Sequence, residues 1–478
     1  MTQDTSIFLK APYEVISENE VEKLHQLTMD VLSKKGILFQ YEGARDALAA
    51  YGARVSGDIV YLDEDLVKKA LASAPKSFTI QARGGYPAVT LGEEQKKPVI
   101  CPGNGTVYIV EKDGHKRNAT FEDFDNITKL CETSPVMDMV GAIPVEPSDA
   151  DGKTRHLELA QHLMRHSNKP LIGVATDTKE SESLFAMLEM VYGEGYLKEN
   201  HVIAFSPNPT SPLCYDPLTS ESLMAYARYN QVNMALSAPM AGLTAPLDMH
   251  GMVAIINAEV LAGLVLSQAV NPGAPFIYSC GGLTSNMQWA NSIGAAPEGS
   301  LVNMAVMQMA RHYRLPSRAM AGISEAKDVD YQAAMETAQN YLTLNMCGVQ
   351  MVNETVGVMD ALMSTSYEKW ILDEELLMRT DKISAGLGDL DYDGLLSSIN
   401  NVKHGGTYLM EPQTLKNCRN NWTPKVSTWK PCQDLKKDRP NVVEVAHEAW
   451  KKRVAGCTET FLSPELEEKL TRYIEQYS

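Results

Sequence analysis

The chain has 478 residues, 44% apolar and 22% charged, the composition of an ordinary globular protein long enough to bury a core without staples. Its 43 Lys+Arg against 60 Asp+Glu leave a net charge of −17, which excludes the concentrated positive field that nucleic acids and anionic membranes require. Neither is expected as a partner.

The eight cysteines, at 101, 131, 214, 280, 347, 418, 432 and 457, form no CxxC, so no disulfide framework or zinc knuckle is indicated. The opening MTQDTSIFLKAPYEV lacks the basic-then-apolar order of a signal peptide. No uncharged apolar run approaches the roughly 20 residues of a membrane span. A cytoplasmic location with reduced thiols is expected.

Residues 1–96 read as an α+β cap. A helical apolar period with a Ser N-cap covers 17–35, and 41–51 and 63–74 also read as helical. Alternating segments at 77–82 and 106–111 read as strands, with a DG turn at 113–114.

From about 136 the pattern becomes regular. Apolar strand-like runs at 137–145, 170–175, 202–206, 234–240, 275–280, 318–323 and 349–353 alternate with helical stretches. Those stretches are 153–167, 179–195, 217–231, 249–270, 296–314, 328–346 and 365–380. Each strand start lies one strand–helix unit after the last. With an eighth strand at 97–111 or 402–410, this predicts an α/β fold, a (β/α)8 TIM-type barrel at 97–410. An open doubly wound sheet should carry a Gly-rich first turn, and neither GxGxxG nor GxxxxGK[ST] is present. Three of the five tryptophans lie beyond 381, with a terminal helix at 463–476 and a Pro- and Lys-rich linker at 420–440. Residues 411–478 are expected to be a C-terminal helical extension packed on the barrel.

The loops after the strands, such as SPNPTSPL (206–213), SCGGLTSN (279–286) and NETVG (353–357), are rich in Pro, Gly, Ser, Thr and Asn. In a barrel they form the catalytic face. Glu325 and Glu354 follow two of the strands and should point near the mouth. Each is as readily a helix cap or a partner of a cation such as Lys327. Phe205, Tyr215, Tyr278, Tyr331 and Trp289 fall near the same rim, where rings with a carboxylate can hold a quaternary ammonium. Singly, each ring is more often core. His162 and His166 share a helix face at i, i+4 in HLELAQHLMRH, a spacing that can bind zinc, but Arg155 and Arg165 beside them favour an ordinary helix. Cys280 and Cys347 read as buried structural thiols.

Five stretches carry a resemblance: INAEVLAGLVLSQAVNPGAPFIYS (256–279), GAAPEGSLVNMAVMQMARHYRLPSR (294–318), SEAKDVDYQAAMETA (324–338), SYEKWILDEELL (366–377) and VKHGGTYLMEPQTLKNCR (402–419). In this order they resemble the trimethylamine methyltransferase superfamily, with the match running from about 83 to 430. The resemblance implies a barrel that moves a methyl group from an amine to the Co(I) of a separate corrinoid protein. Cobalamin would then be carried by that partner and not bound permanently, with no metal site in the chain. Members acting on trimethylamine contain pyrrolysine. This chain is written in the standard letters and resembles the group without it, whose members act on glycine betaine, proline betaine, carnitine or γ-butyrobetaine. Many relatives have His where this chain has Glu354, and the HT pair of the C-terminal motif reads Gln413-Thr414 here.

A quaternary amine leaves as a neutral tertiary amine, so attack by Co(I) needs no proton delivered to nitrogen. The expected tasks are positioning and desolvation, with Glu354 and Glu325 as positioning groups and no acid–base residue. Phe205, Asn208, Tyr278, Tyr331, Asn353 and Glu354 are the expected substrate-binding residues. Arg318 begins its strand and is expected at the opposite end. The alternatives are a non-catalytic quaternary-amine binding or regulatory protein on the same barrel, and a metal-dependent lyase or hydrolase. A homo-oligomer is expected, and the Met- and Ala-rich helix face at 301–310 would suit a subunit interface.

Overall fold

The computed structural model describes residues 11–93, 95, 97–150, 152–173, 177–431 and 441–477. Residues 432–440, nine of the 21 in the expected linker, lie outside the described residues with Cys432 among them, as do residues 174–175 of the expected strand run at 170–175. From Val99, strand and helix alternate: β1 (Val99–Ile100), α1 (Phe121–Glu132), β2 (Val140–Gly141), α2 (Arg155–His166), β3 (Leu171–Ile172), α3 (Thr178–Tyr192), β4 (Ile203–Phe205) and α4 (Pro217–Arg228). There follow β5 (Val232–Asn233 and Leu236–Ser237), α5 (Met249–Val270), β6 (Tyr278–Cys280), α6 (Pro297–His312), β7 (Ser317–Met320), α7 (Tyr331–Cys347), β8 (Met351–Asn353) and α8 (Tyr367–Ser384).

All these strands are parallel, and each pairs with its neighbours in sequence. Leu171 pairs with Val140 and Ile203, Ala204 with Val232, and Leu236 with Ser279. Ser279 pairs with Arg318, Arg318 with Met351, and Met351 with Val99. The Asp138 N–H donates to Ile100 O at 2.9 Å and Thr106 bridges to Val145, which joins β1 to β2 and closes the ring. The first strand is therefore at 99–100, the first of the two expected places.

Helix α1 has no counterpart in the sequence expectation. Thr120 starts it with a capping box, its hydroxyl accepting from the Asp123 N–H while the Asp123 carboxylate accepts from the Thr120 N–H. Helix α5 is apolar all round and long enough to cross a membrane by length and composition, but it lies buried within the chain. Its inner side packs on the ring. The cap helices Glu18–Asp30, Glu42–Tyr51 and Glu64–Ser73 cover its outer side. The Met- and Ala-rich face of α6 is not free either. Val302 and Met304 to Ala310 are buried between α5 and α7, so this face is core and not a subunit surface.

The last ring helix ends at Ser384, and the expected boundary at 410/411 falls in the segment beyond it. Helix Val442–Gly456 then packs on α8 and α1, and Pro464–Glu475 on α2. Cap and extension thus brace opposite flanks of the ring. The loops after the strands are left to build its carboxyl-end face.

Candidate active site

Glu354 is the first residue after β8 and has φ of 56°, a left-handed conformation that costs a side-chain-bearing residue about 1–3 kcal/mol. Its neighbours hold it there. The Glu354 N–H donates to Pro102 O at 3.2 Å, and its own carbonyl accepts from the Gly322 N–H at 2.6 Å. A Cβ on Gly322 would lie 2.3 Å from that carbonyl oxygen, so only glycine permits the approach. The carboxylate Oε2 accepts from the Asn104 N–H at 2.6 Å, and the Asn104 side-chain oxygen accepts from the Ile143 N–H. Loops after β1, β7 and β8 therefore converge on this residue, and the loop after β2 steadies the Asn104 that holds its carboxylate. It is 4% exposed, and burial raises its pKa to about 7 against the opposing pull of Arg318 and the Asn104 N–H.

Arg318 is not at the far end of the ring. Its Nε donates to Asn353 Oδ1 at 2.8 Å and its Nη1 to Ser206 Oγ at 3.1 Å. Ser206 follows β4, three strands round the ring from β7, so the side chain crosses the interior toward the carboxyl end. Strand position locates a Cα; the long arginine stem carries its charge elsewhere. The Ser206 hydroxyl also lies 3.0 Å from Asn208 Oδ1. Arg318 is 2% exposed, and burial lowers its pKa while Glu354 opposes the shift.

Beside this polar chain stands an apolar wall separate from the main core. Leu236, Met320 and Ile323 are buried there, with Ala238, Leu283 and Leu362 packed against them. Met320 pairs in register with Asn353. A buried cation, a buried carboxylate, amide groups and an apolar wall thus share the carboxyl end of one ring.

Of the expected site residues, the structure brings Asn208, Asn353 and Glu354 to this place. The others lie elsewhere. Phe205 stacks on Tyr226 of α4 with centroids 4.8 Å apart, and the Tyr278 hydroxyl donates to Asn257 of α5 at 2.7 Å. Both rings therefore sit in the layer between strand and helix. Tyr331 is 81% exposed at the start of α7, and Trp289 is exposed near the turn of the 284–293 hairpin. Tyr215 is buried on Phe39 of the cap. Glu325 accepts from the Gly294 N–H at 2.8 Å and so anchors that hairpin, with burial raising its pKa. The Cys280 thiol reaches Asn303 of α6, and burial pushes Cys347 up to about 12, so both stay protonated.

Asp125 on α1 joins the expected histidine pair. It lies 2.7 Å from His162 Nδ1 and 3.4 Å from His166 Nε2, and the three ligand atoms lie within 4.8 Å of one another. These residues hold α1 to α2 outside the ring, away from Glu354.

Two buried acids that the sequence did not single out support the site. Glu259 of α5 accepts from Ser211, Ser237 and the Leu213 N–H at 2.6–2.7 Å, tying the loop after β4 to β5. Asp373 of α8 accepts from Lys369 Nζ at 2.6 Å and from the Gly357 N–H at 2.9 Å, fixing the turn that follows Glu354.

The family model for trimethylamine methyltransferase (MTTB) matches residues 4–478. The glycine betaine methyltransferase of Desulfitobacterium hafniense (strain Y51) is 34% identical over 97% of this chain and 97% of its own. The proline betaine:corrinoid methyltransferase of Eubacterium limosum is 30% identical over 96% of each, and its L-carnitine:corrinoid methyltransferase 30% over 82% of each. Among solved structures, the monomethylamine methyltransferase of Methanosarcina barkeri superposes with a TM-score of 0.54 at 14% identity, over 94% of this chain and 90% of that one. The chain belongs to the trimethylamine methyltransferase family and is a methyltransferase.

Proposed function

We propose that this chain transfers a methyl group from a betaine-type quaternary amine to the Co(I) of a separate corrinoid protein and releases the tertiary amine, on a (β/α)8 TIM-type barrel. One observation carries the substrate class: Arg318 and Glu354, opposite in charge, are buried together at the carboxyl end of the ring beside an apolar wall. A betaine is the complementary zwitterion. Three relatives are named for glycine betaine, proline betaine and L-carnitine, each of which carries a carboxylate and a quaternary nitrogen.

In this reading the Arg318 guanidinium, steadied by Asn353 and Ser206, grips the substrate carboxylate through a planar fork. Glu354 faces the ammonium, while Leu236, Met320 and Ile323 exclude water from the methyl groups. Co(I), the second substrate, supplies the electron pair that forms the Co–C bond. The C–N pair stays on nitrogen, so the amine leaves neutral and no proton moves. Positive charge on nitrogen fades toward the transition state, so a tight carboxylate contact would stabilise the ground state more. A carboxyl with pKa about 7, held by Asn104, sets a moderate field.

The seven described cysteines are free, which suits the reducing cytoplasm where we place the reaction. The test is product analysis with 13C-methyl-labelled betaines and reduced corrinoid protein. One labelled methyl lost per turnover, with the matching tertiary amine in solution, supports the reading. Label lost as methylamine or formaldehyde contradicts it.

A further inference from the structure

Among the described residues, one group of histidine and carboxylate side chains brings three ligand atoms within 4.8 Å of one another. Asp125 of α1 makes it with His162 and His166 of α2, outside the ring and apart from Glu354. The two histidines stand one turn apart, so both imidazoles leave the same face of α2. Asp125 meets them from the neighbouring helix.

Hydrogen bonding accounts for only one of the two histidines. His162 Nδ1 is 2.7 Å from Asp125 Oδ1, an ordinary bond to a carboxylate. His166 Nε2 is 3.4 Å from Asp125 Oδ2, longer than such a bond. That spacing is close to what separates two donor atoms on a four-coordinate ion with bonds of about 2.0–2.1 Å. His166 is 7% exposed, and its Nδ1 is buried with no partner among the described residues. The polar contact of this ring is therefore with Asp125.

Arg155 and Arg165, the cations beside the pair in sequence, do not take the carboxylate. Arg155 pairs with Glu146, and Arg165 with Glu467 at 2.6 Å, which leaves Asp125 to the two imidazoles. The side chains of Asp125 and His162 are each 21% exposed. An ion can thus enter from solvent and keep water as a further ligand. Phe121 lies against His162 with ring centroids 4.8 Å apart and gives the group an apolar flank.

The donor set selects the ion. Calcium and magnesium take oxygen ligands, whereas two imidazoles with one carboxylate suit zinc and its first-row neighbours. We infer that Asp125, His162 and His166 form a binding site for a zinc-class divalent cation, which ties α1 to α2 on the outside of the ring. On binding, His162 exchanges its Nδ1 hydrogen bond for a metal bond and carries its proton on Nε2. The three ligand atoms then draw in around the ion.

The test uses the full chain without an affinity tag, stripped with chelator and titrated with zinc by calorimetry. About one ion per chain should bind with a Kd of about 10 µM or tighter, and saturating zinc should raise Tm by about 3 °C or more. His166→Gln should weaken binding about 100-fold. His162→Ala, at the more exposed position, should do the same while keeping the circular dichroism of the wild type. Cobalt(II) in place of zinc should give visible bands without the charge-transfer absorption that a thiolate ligand produces. No binding at about 100 µM zinc, a thiolate band, or unchanged affinity in either histidine variant each overturns the inference.

Discussion

Arg318 on β7 and Ser206 just past β4 stand on nearly opposite walls of the ring, yet Nη1 and Oγ are 3.1 Å apart. The guanidinium therefore hangs in the interior, with Asn353 fixing its other side at 2.8 Å. If this fork grips a carboxylate, Arg318→Lys keeps the charge and loses the geometry. We predict that kcat/KM for a betaine falls about 100-fold, roughly 2.7 kcal/mol. Tetramethylammonium, which has no carboxylate, should lose far less. Steady-state kinetics with both substrates checks this; an equal loss on both would make Arg318 a structural residue only.

Glu354 should set a pH limb. With its pKa raised to about 7, the carboxylate proposed to face the cation forms as pH rises through neutrality. We predict that kcat/KM rises through about pH 7 in the wild type. In Glu354→Gln it should be flat there and about 10- to 100-fold lower at pH 8. The profile of both proteins between pH 5.5 and 8.5 decides it.

The same group contributes to stability with a defined sign. Its folded pKa is above the ordinary 4.5, so between about 4.5 and 7 the folded state holds more proton than the unfolded state. Stability from this group is therefore present at low pH and lost as pH rises through that window. The shift corresponds to about 2–4 kcal/mol. Denaturant titrations should show Glu354→Gln gaining on the wild type from pH 5 to pH 8, and parallel curves would contradict the burial.

Much of the architecture was legible because helix periodicity survives burial of one face. The ring helices from α2 onward, which include 217–228 and 297–312, fall on the expected helical stretches, while 249–270, apolar all round, is marked by its length instead. The site was legible only in part, for a physical reason. Strands of a parallel ring are buried on both faces, so their sequences are nearly continuous apolar runs and give no phase. Phe205 and Tyr278 could thus be assigned to the mouth when they face the helices, while Asn353 and Glu354 were placed by chain position alone. Arg318 opens the apolar run RAMAGI, and the position of its Cα at the strand start does not tell how far its guanidinium reaches. The bond from Asn104 to Glu354 joins residues 250 apart and leaves no local trace.

Gly322 is the hinge of the constellation. A methyl group there would meet Glu354 O at 2.3 Å and Thr355 O at 2.4 Å, both backbone atoms. Gly322→Ala should destabilise the protein by about 1–3 kcal/mol, and it should lower activity further by moving Glu354. Chemical denaturation alongside kcat separates the two effects.

Lys369 and Asp373, both almost fully buried on α8, behave as a unit. Lys369→Met leaves a buried carboxylate uncompensated and should cost about 3–5 kcal/mol, whereas Lys369→Met with Asp373→Leu should recover most of it. A double-mutant cycle by urea denaturation measures the coupling.

The most direct test follows the visible spectrum of a reduced corrinoid protein mixed with this chain and, in turn, glycine betaine, proline betaine, carnitine, γ-butyrobetaine and trimethylamine. The account predicts rapid, catalytic loss of the Co(I) band with one or more of the betaines and none with trimethylamine. Conversion with trimethylamine alone, or with no betaine although the corrinoid protein accepts methyl groups from another donor, would contradict it.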